Sequence, residues 1–144
     1  MTQATLGIGT KIRIETTPGA SPLAFTEIPE VGDIPPLPHT REFVEATNQD
    51  SGNSREYIGG LIDAEEFTFE CNYLPQNAVQ DLLWARFKSG VAQEFEIEET
   101  TTSPAVELRF TGIIAAVSYA YPVADKKTMS VTIRRTGETL RDGV

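Results

Sequence analysis

The stretch from Glu66 to Gly90 sets a β-strand directly before an amphipathic helix, and this pair constrains the fold more than any other feature. Aromatic and apolar residues alternate with polar ones across the strand: Phe67, Phe69, Cys71 and Tyr73. Alternation with a period of two is typical of a strand that is buried on one face only. The helix that follows needs cover for its own apolar side, so we expect it to close one side or end of a β-sandwich or barrel.

The helix has recognisable start and stop signals. Asn77 followed by Gln80 is a capping pair, in which the Asn77 oxygen accepts from free amides and Gln80 reaches back. Alternatively, Pro75 is the first helical residue. Gly90 is a natural terminator. Apolar residues recur on one stripe between these signals, at Val79, Leu82, Leu83 and Phe87.

The rest of the chain consists of short alternating segments separated by turn residues. Strands are predicted near residues 11–15, 25–28, 41–46, 66–73, 94–98, 106–110, 113–121 and 129–134, with a further return beginning at Tyr57. Gly112 suggests a kink at which the following strand changes face. The fold class is therefore mainly β: a β-sandwich or barrel of about seven or eight strands with one flanking α-helix.

We expect residues 1–144 to form one domain with three segments outside its core. Residues 1–10 are predicted to be a flexible N-terminal arm, and the polar residues 136–144 a C-terminal arm. Residues 47–58 are predicted to be a projecting, mobile loop, because 47–56 contain no apolar residue that could be buried. No leader peptide or membrane anchor is expected, since the start lacks a basic and apolar segment and no apolar run reaches about 18–20 residues.

The charge is unevenly distributed. The net charge is −9; residues 1–125 hold 19 acidic and 7 basic residues (−12), and residues 126–144 hold 2 and 5 (+3). An acidic body argues against ordinary adhesion to nucleic acid. The basic end can attract the acidic body of another copy, although composition alone favours a plain acidic protein.

No residues suggest a catalytic or metal site. The chain has a single histidine, His39, and a single cysteine, Cys71. One cysteine excludes an internal disulfide, and Cys71 falls on the inward face of its strand. The glycines before Lys11 have the wrong spacing for a phosphate loop. The Asn and Asp residues at 48, 50 and 53 lack the glycine and closing glutamate of a calcium loop. We expect no enzyme activity and no cofactor.

Three glutamates share one strand face: Glu94, Glu96 and Glu98. Like charges in a row repel, so this face is predicted to be solvated rather than buried. Such a row is either an ordinary surface or an acidic wall. Trp84 lies beside Phe87 but off the main helical stripe, so it belongs either to the core or to a protein contact.

One run of residues resembles a known family. Residues 55–63 (Arg-Glu-Tyr-Ile-Gly-Gly-Leu-Ile-Asp) lead into the strand that ends Cys-Asn-Tyr-Leu-Pro at 71–75, then the short helix and Gly90. Residues 31–34 (Val-Gly-Asp-Ile) and the arginine-containing last strand, 129–135, follow the same order. The arrangement over residues 10–137 resembles the major tail tube protein of long, non-contractile-tailed bacteriophages.

The resemblance implies a fold related to the tube protein of type VI secretion, and assembly into hexameric rings that stack into a hollow tube. It implies DNA passage without specific binding, and as partners other copies, a tape-measure protein, a tail terminator and tail-tip proteins. It places the protein in the virion tail, after assembly in the host cytoplasm.

This implied role gives three sets of candidate residues. An acidic lumen wall would repel DNA, and its candidates are Glu66, Glu70, Glu94, Glu96 and Glu98. The candidates for contact with the neighbouring ring are Asn48, Gln49, Asp50, Ser51, Asn53, Arg55 and Tyr57. The candidates for contact between subunits are Trp84, Lys126, Lys127, Arg134 and Arg135.

Two alternatives remain at this point. The chain could be another tail component, such as a terminator or baseplate ring, or a monomeric β-sandwich that binds a carbohydrate or protein. Most aromatic residues lie in inward phase (Phe67, Phe69, Phe95, Phe110), which weakens the binding-module hypothesis.

Overall fold

The computed structural model describes residues 4–19, 21–100 and 104–142. Within them are eight strands, one α-helix and a short 3-10 helix (Gln49–Ser51), which confirms the mainly β prediction. The strands are β1 (Lys11–Glu15), β2 (Phe25–Glu27), β3 (His39–Glu45), β4 (Tyr57–Ala64), β5 (Phe67–Asn72), β6 (Gln93–Glu99), β7 (Val106–Ala120) and β8 (Thr128–Arg141), and the helix is α1 (Ala78–Ser89).

Six strands form one antiparallel sheet in the order β2-β1-β6-β7-β8-β5, and β3 and β4 pair as a separate hairpin. The two longest strands, β7 and β8, hold the large sheet together because β6 pairs with the first half of β7 and β5 with the first half of β8. Beyond β2 the chain crosses to the opposite edge, where Val31 bridges Cys71. The sheet therefore wraps around its apolar face without closing.

The core lies inside this wrapped sheet. Apolar residues at alternate positions of β1, β5, β6 and β8 are buried, as the period-two pattern predicts, and Leu83 of α1 joins them. The aromatic rings interlock at its centre: Phe95 stacks on Phe110 at 5.7 Å, and Phe67 meets Phe110 edge-on at 5.5 Å.

The helix starts at Ala78, so the cap at Asn77 is correct and a start at Pro75 is wrong. Asn77 Oδ1 accepts from the amides of Val79 and Gln80 at 3.0 and 3.2 Å. Gln80 reaches further back than a capping box requires: Oε1 accepts from Leu74 N, and Nε2 donates to the carbonyl of Asn72. The helix ends at Gly90, whose φ of 68° suits a residue without a Cβ.

The predicted C-terminal arm at 136–144 is wrong for residues 136–141, which continue β8. Thr136 pairs with Thr111, and Leu140 with Arg109, so the three residues 137–139 of β8 lie against the single residue Phe110 of β7. The extra residues form a bulge at Gly137, whose φ is 75°. The bulge interrupts the alternation that would have revealed the strand. Residues 143–144, and residues 1–3 of the predicted N-terminal arm, lie outside the described residues.

Gly112 is not a kink in β7, which is continuous from Val106 to Ala120. A Cβ at Gly112 would lie 2.6 Å from Ile133 Cγ2, so glycine lets β8 approach closely. The strand changes face three residues later, at the register shift between Ile114 and Ala116.

Candidate assembly surfaces

The β3–β4 hairpin stands apart from the core and exposes apolar side chains. Every residue of β3 is exposed, and in β4 only Ala64 is buried. The large apolar side chains are between 54% and 78% exposed: Phe43, Val44, Tyr57, Ile58, Leu61 and Ile62. A two-stranded hairpin is marginally stable by itself, and an apolar surface of this kind marks a protein contact.

The tip of this hairpin is polar, and the loop is shorter than predicted because Tyr57 and Ile58 already belong to β4. Hydrogen bonds within the loop define its shape. Asn48 Oδ1 accepts from Asp50 N at 2.8 Å, and Ser51 Oγ accepts from Asn48 N at 3.1 Å. The Ser51 hydroxyl in turn donates to Glu56 at 2.8 Å. The remaining inter-ring candidates, Gln49, Asn53 and Arg55, are exposed at the tip.

Arg135 anchors the hairpin to the sheet and is 3% exposed, so in the single chain its side chain is not available for the subunit contact predicted for it. Its Nε donates to the carbonyl of Glu65 at 2.8 Å, one Nη donates to the carbonyl of Pro38, and the other lies 3.0 Å from His39 Nε2. The guanidinium lies over the rings of Phe67 and Phe110, 5.8 and 5.7 Å from their centroids. Burial lowers the pKa of Arg135, an effect that nearby acidic groups oppose.

The prediction that the face carrying Glu94, Glu96 and Glu98 is solvated is wrong for Glu96. Glu96 is 3% exposed. It lies directly between Arg13 of β1 and Arg109 of β7, and its Oε2 accepts from Arg109 Nη2 at 3.0 Å. Arg13 also pairs with Glu98. The prediction failed because cross-strand neighbours carry opposite charge, which repetition within one strand does not reveal.

The outward face of β5 has a different chemistry. Glu66 and Glu70 are exposed there. Between them Thr68 Oγ1 lies 2.8 Å from Thr132 Oγ1 of the neighbouring strand. Ser130 is opposite Glu70. This face is thus hydroxyl-rich with two exposed carboxylates.

Among the described residues, β7 and β8 each have one edge that lacks a strand partner over about half of the strand. β8 extends beyond the end of β5, leaving one edge open over residues 134–141. In the same way β7 extends beyond β6 over residues 113–120. Open backbone edges are sites at which another chain can add a strand.

Aromatic side chains cluster where α1 meets the end of β7. Trp84 is 41% exposed, and its ring lies 5.5 Å from Phe87 and 6.0 Å from Tyr119. Tyr73 and Tyr121 extend the cluster. The four phenylalanines predicted to face inward are buried, but this cluster was not anticipated, since it joins three separate elements. Lys126, Lys127 and Arg134 are exposed, and Arg134 pairs with Asp63 at 3.7 Å.

The single cysteine is a buried free thiol, as its inward phase on the strand predicts. Cys71 is 2% exposed, its thiol donates to the Met129 carbonyl at 3.7 Å, and burial together with nearby carboxylates raises its pKa to about 11. The described residues contain no group of three or more His, Cys, Asp or Glu that could hold a metal ion. No helix in the described part of the chain is long and apolar enough to span a membrane.

Comparisons with known proteins agree with this architecture. The profile of the lambda phage tail tube protein family matches residues 13–141. No curated protein sequence matches the chain.

Solved structures support the fold. A chain from the tail of an empty gene transfer agent particle, refined with C6 symmetry, is 16% identical, with a TM-score of 0.74 over 95% of this chain and 98% of that one. The SPP1 tail tube, determined by solid-state NMR and cryo-EM, is 13% identical, with a TM-score of 0.69 over 92% and 75%. A chain of an extracellular contractile injection system sheath–tube complex is 9% identical, with a TM-score of 0.65 over 94% and 88%.

The family match covers most of the chain, including the hairpin, the helix and the last strand. The chain therefore belongs to the lambda phage tail tube protein family, and its role is that of a structural tail tube protein.

Proposed function

We propose that six copies form a ring and that rings stack into the tube through which phage DNA is delivered. The exposed apolar hairpin carries this proposal, because a surface with six uncovered large apolar side chains needs a partner. The six-fold number follows the C6 tail that this fold resembles. Repetition of one heterologous contact closes a ring, and stacking of rings gives a tube.

Within a ring, we propose that neighbouring copies meet along the open edges of β8 and β7, because a backbone edge is protected when another strand covers it. Trp84, with its half-exposed aromatic neighbours, and the exposed cations Lys126, Lys127 and Arg134 are the side chains available for the same contact. Arg135 contributes indirectly, through the hairpin that it fastens.

Between rings, the contact is proposed to be the hairpin, with its apolar strands buried against the next ring. Its polar tip residues then provide hydrogen bonds at the rim of that contact, where polar groups are usual. These residues are Asn48, Gln49, Asp50, Ser51, Asn53 and Arg55, and Tyr57 contributes to the contact as one of the apolar side chains of β4.

For the lumen, we favour the face of β5 that carries Glu66 and Glu70. Its acidic and hydroxyl groups would repel DNA or bind it weakly, which favours passage. The face carrying Glu94, Glu96 and Glu98 is the second choice, since Arg13 and Arg109 neutralise much of its charge.

The proposal implies a non-enzymatic protein without a cofactor. Its partners are further copies of itself and, at the ends of the tube, tape-measure, terminator and tail-tip proteins. It would assemble in the cytoplasm of the host bacterium and remain in the tail of the virion.

The experiment replaces two apolar residues that face each other on the hairpin, Val44→Ser and Ile58→Ser together, and follows seeded tube growth by electron microscopy. We expect an intact core and tube yield reduced by about tenfold or more. Glu42→Gln on the same hairpin is the matched control, with normal tubes.

Normal tubes from the double variant would contradict the proposed contact. Wild-type protein that forms single rings without extension would instead indicate a terminator or baseplate component. Wild-type protein that remains monomeric after seeding would indicate a binding module.

A further inference from the structure

The hairpin base is the place where this exposed element joins the sheet, and it consists of Pro38, His39, Ala64 and Glu65. Pro38 and Glu65 flank the two strands, and the amide of Glu65 donates to the carbonyl of Pro38 at 3.3 Å. Apart from buried Ala64 and the exposed Arg134–Asp63 ion pair, the described hairpin has few contacts that could fix its direction.

One side chain joins both ends of this base. The Arg135 guanidinium donates to the carbonyls on each side of the hairpin, Pro38 and Glu65, and all three of its nitrogens have partners. The guanidinium lies over two phenylalanine rings of the core, Phe67 and Phe110, which restrict its position. The planar guanidinium donates in fixed directions and can therefore fix the orientation of the hairpin, whereas the ammonium of a lysine cannot.

The third partner of Arg135 is His39, and this contact depends on the protonation state of the imidazole. An arginine nitrogen always donates, so the Nε2 of His39 that lies 3.0 Å away must accept and therefore carries no proton. Protonated imidazole has no acceptor and is a cation beside a cation. Histidine is the side chain that ordinarily changes charge between roughly pH 5 and 8.

Other charged groups surround this pair. Asp63 and Glu65 approach from the end of β4, Arg134 and Glu138 from β8, and Arg41 from β3. They line or border a cleft of about 900 Å³ beside the hairpin base. Because Asp63 already pairs with Arg134, it would only partly compensate a positive charge on His39.

We propose that Arg135 is the positioning residue that sets the direction of the β3–β4 hairpin, and that His39 makes this direction dependent on pH. With His39 uncharged and accepting at Nε2, the guanidinium holds both ends of the hairpin. In acid, the lost acceptor and the repulsion between the two cations release it. The consequence for ring stacking rests on the proposed function; the direction of the hairpin does not.

The test measures hairpin direction in the unassembled chain. Spin labels on Asn53→Cys at the tip and Lys88→Cys on α1 report their distance by double electron–electron resonance, and buried Cys71 remains unlabelled. In the wild-type background we expect a narrow distribution at pH 8.0, and one about twofold broader at pH 5.5.

Four variants separate the steps. His39→Gln keeps an acceptor that does not titrate, so its distribution should stay narrow at both pH values. Arg135→Met should be broad at both, and Arg135→Lys, which keeps the charge without the fork, should be nearly as broad. Arg134→Ala, which removes only the neighbouring exposed pair, should behave as wild type.

A narrow distribution for Arg135→Met, or equal broadening in acid for His39→Gln and wild type, would overturn the inference. Seeded tube growth is then measured on the same proteins, with yield in acid restored by His39→Gln. Absence of tubes for every protein at every pH would reject the proposed assembly and leave the hairpin measurement intact.

Discussion

Glu96 Oε2 accepts a hydrogen bond of 3.0 Å from Arg109 Nη2 across β6 and β7, and the Glu96 side chain is only 4% exposed. Arg13 approaches from the other side, with Nη1 3.9 Å from Glu96 Oε1. A buried carboxylate between two guanidinium groups depends on both of them, since removing one partner leaves charge that is poorly compensated.

We therefore predict that Arg109→Met lowers the free energy of unfolding by about 2 kcal/mol, measured by urea denaturation. The value lies below that of a fully buried pair because Arg109 is partly exposed and Arg13 remains. Glu107→Gln, which changes a more distant partner of Arg109 at 4.0 Å, is the control and should cost little. Equal loss in the two variants would mean that burial of Glu96 is unimportant.

A second prediction concerns the close approach of β7 and β8. Gly112→Ala should destabilise the fold by about 1–3 kcal/mol, because its Cβ would lie 2.6 Å from Ile133 Cγ2 and one strand must move. Gly32→Ala, whose Cβ would be 3.6 Å from the nearest atom, should be nearly neutral. Chemical denaturation of both variants measures the two free energies of unfolding. A Gly112→Ala protein as stable as wild type would contradict the packing argument.

The elements that sequence predicted well are those with uninterrupted local patterns. The alternation of β5 and the cap at Asn77 are local, and both are confirmed by the buried faces and the hydrogen bonds. The inward phase of Phe95 and Phe110 is also confirmed.

The errors arose where distant residues decide the outcome. Glu96 is buried because β1 and β7 each supply an arginine opposite it, and strand order is not visible in a single strand. Arg135 is buried because the hairpin ends converge on it. The strand at 136–141 was missed because the bulge at Gly137 disrupts its alternation. Sequence thus predicted the fold class, but not the contacts that Glu96 and Arg135 make with distant parts of the chain.

A third prediction follows from the burial of Cys71. Because burial and nearby carboxylates raise the pKa of its thiol to about 11 from 9.0, the thiolate fraction at pH 8 falls roughly a hundredfold. The native protein should therefore react with a thiol reagent at least that much more slowly than the urea-unfolded protein. Thr68→Cys on the exposed face of the same strand is the reactive control. Rapid native labelling of Cys71 would show that this strand opens readily.

A fourth prediction separates the loop from the strands of the hairpin. Replacing residues 48–55 by an Asn-Gly turn removes the hydrogen bonds within the loop but no buried side chain, so the unfolding free energy should change by less than about 1 kcal/mol. Seeded tube growth should fall if the tip contacts the next ring. Arg55→Gln, a single change at the tip, should have a smaller effect. Normal tubes from the shortened loop would assign the contact to the apolar strands alone.

The last prediction compares the two candidate lumen faces by charge reversal. Glu70→Lys places one cation per subunit on the face of β5, and Glu107→Lys places one on the face formed by β1, β6 and β7. Repeated around every ring, lysines in the bore would bind DNA phosphates by releasing their counterions, which opposes movement. We expect Glu70→Lys to slow DNA ejection about tenfold at low salt, and Glu107→Lys to leave it unchanged.

Ejection is timed with a fluorescent DNA dye on particles whose tails have normal length. Raising the salt should restore the Glu70→Lys rate, because the interaction is electrostatic. Slowing by Glu107→Lys instead would place the bore on the face of the glutamate row.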